Sequence, residues 1–162
     1  MKNLKIIGRL AFLLVSVLNA QSQTTHTSEK YHIQFTTTQD IAVYETESDR
    51  VLGFENDDFA IDIEVFELSE VNSSYLDDLK KTTRSIASQL SLRDVQQAIP
   101  LSNLTSGYYV RATDIHGEDV IPVFIGVIHN KSKQLIYEIT VYCYDLDLGK
   151  GRKTIESFRL ME

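Results

Sequence analysis

Cysteine is almost absent from this sequence: Cys143 is the single one among 162 residues. An intramolecular disulfide requires two cysteines, so the chain cannot belong to the disulfide-stapled class of exported domains. Its length permits burial of roughly two-thirds of the unfolded surface without disulfides or metal. Cys143 shares one face of a period-two pattern with Tyr137, Ile139 and Val141, which predicts a buried thiol in a strand. A reactive or intermolecular thiol is the alternative, because an unpaired cysteine in an exported protein requires an explanation.

Positive charge is also scarce. The chain has 16 Lys and Arg residues against 23 Asp and Glu residues, which gives a formal net charge of −7. Its cations form no basic stripe of the kind that neutralises a phosphate backbone, so the sequence predicts no nucleic-acid partner. An acidic chain is also repelled by anionic lipid surfaces.

The N-terminal apolar run is short. It covers residues 10–20, LAFLLVSVLNA, and is shorter than the roughly 20 residues that a membrane-spanning helix needs. Three cations precede it: Lys2, Lys5 and Arg9. This order is typical of a secretory signal peptide, which we predict over residues 1–22. Cleavage after Ser22 fits the small residues at 20 and 22, with cleavage after Ala20 as the alternative; an uncleaved anchor or a core helix are the other interpretations.

The predicted leader divides the chain into a signal peptide (1–22), a polar N-terminal tail (23–30) and a single domain (31–162). Removing the leader subtracts three of the 16 cations and none of the 23 anions, so the mature chain would have a formal charge of −10. The mature chain has no predicted membrane span. We therefore expect a protein exported to the periplasm or secreted from a bacterial cell.

Alternating apolar and polar residues predict strands on both sides of one helical segment. The first half contains four such runs: 31–35, 41–47, 51–54 and 59–65. An antiparallel meander of three runs is expected here, because the connections are too short for crossovers. The second half predicts another meander, with its middle run covered on both faces: 108–115, 120–129 and 135–144. Pro100 predicts an edge position for the run at 95–101.

Between these halves the hydrophobic period changes to 3.6. Tyr75, Leu79, Thr83 and Ile86 follow this period, which predicts one amphipathic helix over residues 73–91. A short helix at 152–160 is expected to close the chain. The predicted fold class is therefore α+β, an antiparallel sheet with one long helix and a short C-terminal helix packed on it.

The turn at 114–119 contains the residue types that bind zinc or manganese. Asp114, His116, Glu118 and Asp119 lie close together in the sequence, and a loop can bring such ligands to one metal ion. His32 or His129 would have to complete this site. The same turn is equally typical of a solvated hairpin, with Gly117 at a positive φ.

No catalytic residue and no cofactor are predicted, because the sequence contains neither GxSxG nor HExxH. In DLDLGKGRKT, at 145–154, a calcium loop and a phosphate loop are each matched only in part, and the start of a helix explains the segment better. Five tyrosines lie on predicted strands and can either form a binding groove or pack under the helix: Tyr44, Tyr108, Tyr109, Tyr142 and Tyr144.

The layout from residue 31 onward resembles the Mog1/PsbP/DcrB-like group of small α+β domains. The resemblance is carried by DFAIDIEVFEL running into a long helix, by GYYVRATD before VIPVFIGVIHN and LIYEITVYCY, and by TIESFRL in the closing helix. It implies an accessory or binding protein without shared catalytic residues. We therefore expect a non-catalytic exported accessory or binding protein of the bacterial envelope, whose partner is an envelope protein or a small ligand; the alternative is an exported metal-dependent hydrolase that uses the 114–119 turn.

Overall fold

A computed structural model describes residues 23–38, 40–44 and 48–161. The predicted signal peptide, Gln39 and residues 45–47 of a predicted strand lie outside this part of the chain. The described residues form these elements in order: β1 (Thr24–Ser28), β2 (Ile33–Thr37), β3 (Ala42–Tyr44), β4 (Val51–Asn56), β5 (Phe59–Glu67), a 3-10 turn (Leu68–Glu70), α1 (Ser73–Asp77), α2 (Leu79–Gln89), β6 (Ile99–Pro100), β7 (Gly107–His116), β8 (Asp119–Asn130), β9 (Leu135–Cys143), α3 (Leu148–Ser157) and β10 (Arg159–Leu160).

A seven-stranded antiparallel sheet has the order β3-β4-β5-β9-β8-β7-β6. It contains the two predicted meanders, β3-β4-β5 and β7-β8-β9, joined where β5 pairs with β9 from Phe59 opposite Cys143 to Glu67 opposite Leu135. The interior position predicted for the 120–129 run is confirmed, because β8 is buried from Val123 to Ile128. Pro100 lies in the edge strand β6, as its missing N–H predicts.

A second sheet, which the sequence did not predict, has three strands in the order β1-β2-β10. The run at 31–35 does not join the first meander, because β2 pairs with β1 and β10 instead. The segment 23–30 is not a tail, since β1 forms within it. Alternation shows which face of a strand is buried, here Ile33 and Phe35, but it does not identify the neighbouring strand.

The His26 side chain packs β1 against the core. Its ring stacks on Phe35 at a centroid distance of 4.9 Å and meets Phe54 edge-on at 5.5 Å, and its Nε2 lies 2.9 Å from the Thr37 hydroxyl. Partial burial lowers the pKa of His26 below the ordinary histidine value, and Asp40 opposes this shift. The neutral imidazole is therefore the form that the folded protein favours.

This arrangement predicts that acid weakens the fold through His26. Because the folded pKa lies below the unfolded one, the contribution is complete above about pH 6.5 and is lost as the pH falls through the folded pKa. We expect the difference in free energy of unfolding between the wild type and His26→Gln to shrink over that range, measured by urea denaturation. His116→Gln, at an exposed turn, is the matched control. A difference that stays constant with pH would contradict the prediction.

The predicted helix 73–91 was wrong in its continuity, because it breaks at Asp78. Asp78 has φ −147° and ψ 83°, and its side chain accepts a hydrogen bond from the Lys81 amide at 3.0 Å. An Asp side chain that caps the following turn competes with the helical hydrogen bonds of its own backbone. The sequence therefore forms α1, capped by Asn72, and then α2, which buries Leu79, Thr83, Ile86 and Ala87.

The closing helix also begins earlier than predicted. The Asp147 carboxylate accepts hydrogen bonds from the amides of Gly149 at 2.8 Å and Lys150 at 3.2 Å, so α3 starts at Leu148. It ends at Ser157, and residues of its predicted last turn form β10. The interpretation of DLDLGKGRKT as a helix start is confirmed.

The two faces of the large sheet are covered unequally. One face packs against α3 and the small sheet, in a core that contains Ile61, Ile139, Val141 and Phe158. The other face is covered by α2, which packs on β7 and β8. Among the described residues, no helix packs closely on the part of this second face that β3, β4 and β5 form. Among the described residues no helix is long and apolar enough to cross a membrane.

The predicted burial of Cys143 is confirmed, with no exposed surface. Burial, and then the carboxylates of Asp145 and Asp147, raise the pKa of its thiol to about 12. Since the thiolate is the reactive form, we expect the native protein to react with a thiol-modifying disulfide reagent far more slowly than the urea-unfolded protein. Equal rates in the two states, followed by absorbance, would contradict this prediction.

Candidate functional site

A groove of about 600 Å³ lies between the uncovered sheet face and the C-terminal end of α2. We call it the tyrosine–acid groove, and its lining residues are Tyr44, Val51, Asp62, Glu64, Ile86, Gln89, Leu90, Glu138, Thr140 and Tyr142. The volume falls in the range typical of ligand sites. Among the residues that the structure describes, this lining includes three carboxylates and no Lys, Arg or His.

The strand register places the three carboxylates together. Glu64 on β5 lies directly opposite Glu138 on β9, and Asp62 lies opposite Thr140. Asp62 and Glu64 are two residues apart on one strand, so they share a face at a spacing of about 6.5–7 Å. Like charges placed directly opposite each other destabilise a sheet, and Glu64 and Glu138 form no ion pair within the described residues.

Tyrosine hydroxyls, rather than cations, bind two of these carboxylates. Tyr44 donates a hydrogen bond to Asp62, and Tyr75, at the start of the helical segment, donates one to Glu138. The Tyr44 ring lies over Gly53 on the neighbouring strand, where a Cβ atom would collide with the ring carbons. Gly53 therefore permits the flat position of Tyr44 that forms one wall of the groove.

The electrostatics of the groove follow from these contacts. Burial raises the pKa of Glu138, Glu64 raises it further, and the Tyr75 hydrogen bond opposes the shift. Burial and the carboxylates of Asp114 and Asp62 raise the pKa of Tyr142. Its ring stacks on Tyr144 at a centroid distance of 6.1 Å. The groove thus combines aromatic faces with a negative charge that the described part of the protein leaves uncompensated.

This uncompensated charge predicts that Glu64→Gln stabilises the protein. Removing one member of the opposed pair should increase the free energy of unfolding by about 0.2–1 kcal/mol at pH 7. The gain should shrink as the pH falls, because burial raises the pKa of Glu138 and its protonation removes the repulsion. Glu118→Gln removes the same charge from an exposed turn and should have little effect. Urea denaturation checks both variants, and a destabilised Glu64→Gln would contradict the prediction.

The residues of the candidate metal turn are only partly brought together. His116 Nε2 lies 2.8 Å from Asp114 Oδ2, and the His116 side chain is 69% exposed. Glu118 lies at the exposed tip beside Gly117, whose φ of +65° agrees with the predicted hairpin turn. In the described ranges, no three His, Cys, Asp or Glu side chains are arranged to hold a metal ion.

The other predicted ligands lie elsewhere. His129 is near the opposite end of β8 from the turn, roughly 30 Å away at the rise of an extended strand. Its Nε2 is buried without a hydrogen-bond partner among the described residues, and burial, followed by Lys131, lowers its pKa. His32 lies in the connection between β1 and β2, with φ +50°.

The tyrosines divide between the two predicted roles. Tyr44 and Tyr142 line the groove, and Tyr144 stacks beside it. Tyr109 is a core residue, 1% exposed, and donates to Glu156 at 2.7 Å. Tyr108 packs in the cluster under α2.

Sequence reasoning missed the carboxylates of the groove. Asp62, Glu64 and Glu138 each alternate with buried residues, so a polar face was visible at each position. Only the register of β5 against β9 brings the two strands' acidic residues together.

Comparisons with known proteins identify the fold. No family model matches the chain, and no curated protein matches it. A mutant of protein Mog1 superposes with a TM-score of 0.61 at 8% identity, covering 87% of this chain and 97% of that one.

Two further solved structures are similar. The Saccharomyces cerevisiae Ran-binding protein Mog1p gives a TM-score of 0.57 at 7% identity, over 88% of this chain and 97% of that one. Cyanobacterial PsbP (CyanoP) from Synechocystis sp. PCC 6803 gives 0.59 at 12% identity, over 97% and 98%. These similarities confirm a Mog1/PsbP-like α+β fold and, at such identities, concern the fold alone.

Proposed function

We propose that this protein is an exported, non-catalytic accessory protein of the bacterial envelope that binds a partner through the tyrosine–acid groove. The observation that carries the proposal is the groove itself, a concave surface with aromatic walls and converging carboxylates. Two of its three carboxylates, Asp62 and Glu138, accept hydrogen bonds from tyrosine hydroxyls, so the groove combines polar anchoring points with aromatic surface.

The fold is compatible with such a role. The yeast neighbour is named as a Ran-binding protein, so a chain with this architecture serves protein binding in that case. The export part of the proposal rests on the sequence, through the cationic head and apolar run of residues 1–22. The tyrosines favour binding as well, because aromatic residues are enriched at protein interfaces.

Export and catalysis can be tested on one preparation. The full chain is expressed in a Gram-negative host, the cells are fractionated, and the intact mass of the recovered protein is measured. We expect the protein in the periplasmic or secreted fraction with a mass that lacks residues 1–22. Protein that retains this segment and stays in the cytoplasm would contradict the envelope assignment.

The metal-dependent hydrolase remains the competing hypothesis for the same preparation. Elemental analysis of the wild type and His116→Ala separates the two functions, with a hydrolase substrate panel run in parallel. Stoichiometric zinc or manganese that is lost in His116→Ala, together with turnover, would overturn the binding role. Absence of bound metal and of turnover is the expected result.

A further inference from the structure

The tyrosine–acid groove has the charge and the repeat spacing to select one kind of occupant. Asp62 and Glu64 lie on one face of β5, and Glu138 lies beside Glu64 across the strand pair. Asp62 is therefore separated from the Glu64–Glu138 pair by about 6.5–7 Å along the strand direction. The same distance separates side chains at alternate positions of any extended peptide, because residues i and i+2 point to one side.

The other lining residues suit long cationic side chains. Val51, Ile86 and Leu90 offer apolar surface along the groove, and Leu90 is 47% exposed at its rim. Lys and Arg pack their aliphatic stems on such surface while the charged head reaches a polar group. Tyr44 and Tyr142 also line the groove, and the ring faces that they turn to it would offer cation–π contacts to the same heads.

The like-charge pair supplies an energetic reason for a cationic occupant. Glu64 and Glu138 oppose each other without a cation from the described chain, at a cost to stability. Natural proteins accept such local conflicts mainly at functional sites. A bound cation removes the repulsion, so binding would recover the stability that the pair costs.

We propose that the tyrosine–acid groove binds an extended segment of a partner protein that carries Lys or Arg at every second position. This inference rests on the proposed function and specifies its partner. The groove is an open trough along a sheet face rather than an enclosed cavity, which suits a polypeptide running parallel to β5. A small polyamine, which carries similar charge, is the competing occupant.

The test uses the full chain and three probes in isothermal titration calorimetry at low salt. The first probe is a short peptide in which lysine alternates with threonine. The second has the same composition with its lysines consecutive, and the third is spermidine. We expect the alternating peptide to bind at least about tenfold more tightly than the other two probes, and more weakly as the salt concentration rises.

Two matched variants locate the site. Glu64→Gln should weaken binding of the alternating peptide by about tenfold although it is expected to be more stable than the wild type. Glu118→Gln changes the net charge equally and should bind like the wild type. A loss in Glu64→Gln therefore cannot be attributed to unfolding or to overall charge.

The outcomes are distinguishable. Equal binding of the two peptides, or equal loss in both variants, would overturn the inference in favour of unspecific charge attraction. Tighter binding of spermidine, lost in Glu64→Gln, would overturn it in favour of a small amine. The protein can prove exported and metal-free and still not bind the alternating peptide. That result would overturn this inference while leaving the proposed envelope role intact.

Discussion

Replacing Phe158 with alanine is expected to lower the free energy of unfolding by about 3–5 kcal/mol. Phe158 is 1% exposed and lies between the end of α3 and the start of β10. Its ring stacks on Phe35 of β2 at a centroid distance of 4.8 Å and an interplanar angle of 15°. The substitution removes the aromatic contact between β2 and the end of α3, and leaves a cavity in the core between the small sheet and the large one.

Urea denaturation measures the loss, and hydrogen exchange locates it. We expect the amides of β1 and β2 to lose protection before those of β8 and β9, because the small sheet depends on this contact. Phe66→Ala is the matched control, since Phe66 is half-buried and packs in the separate cluster under α2. Its loss of stability should be smaller and should spare the small sheet. Uniform loss of protection across both sheets would contradict the assigned role of Phe158.

Gly151→Ala is expected to destabilise the protein by about 2 kcal/mol, although it places a better helix former in α3. Alanine in a helix interior is normally favoured over glycine by about 1 kcal/mol. Here a Cβ atom would collide with the Cys143 sulfur and would lie 2.6 Å from Cε2 of Phe124. Overpacking of this kind costs about 1–3 kcal/mol, occasionally more, and it occurs between a helix and a buried sheet that cannot easily separate. The steric cost therefore outweighs the gain in helix propensity.

The midpoint of thermal unfolding measures this loss, because each kcal/mol of lost stability lowers the midpoint by about 2–4 °C in a domain of this size. Gly149→Ala, in the exposed first turn of the same helix, is the control and should be close to neutral. Cys143→Ala should rescue part of the loss in the Gly151→Ala background, because it removes the nearest atom in the collision. Purely additive effects of the two substitutions would show that the sulfur contact is not the cause.

The residues of the tyrosine–acid groove could be assigned to strands from the sequence, but not to one common site. Alternation marked Asp62 and Glu64 as a solvated face and Tyr44 as a strand residue. Their meeting with Glu138 requires the pairing of β5 with β9, in which Glu64 and Glu138 lie opposite each other although they are more than seventy positions apart in the sequence. Hydrophobic periodicity depends only on near neighbours in the chain, so it contains no information on which distant strand supplies Glu138.

The helices illustrate the same limit at short range. The 3.6 period placed α2 correctly, because its buried face is a local property of the sequence. Asp78 and Asp147 moved the helix boundaries, since each carboxylate caps the residues that follow it. Whether an aspartate caps or remains exposed within a helix depends on backbone geometry that the pattern alone does not fix.

By itself, the sequence determined the α+β class, both meanders, the interior position of β8 and the burial of Cys143. These features follow from local alternation and composition, which determine the face that each segment buries. The tertiary structure alone decided the second sheet, the opposition of Glu64 and Glu138, and the uncovered face beside α2. Each of these depends on contacts between distant segments, whose free energies arise only when the whole chain packs.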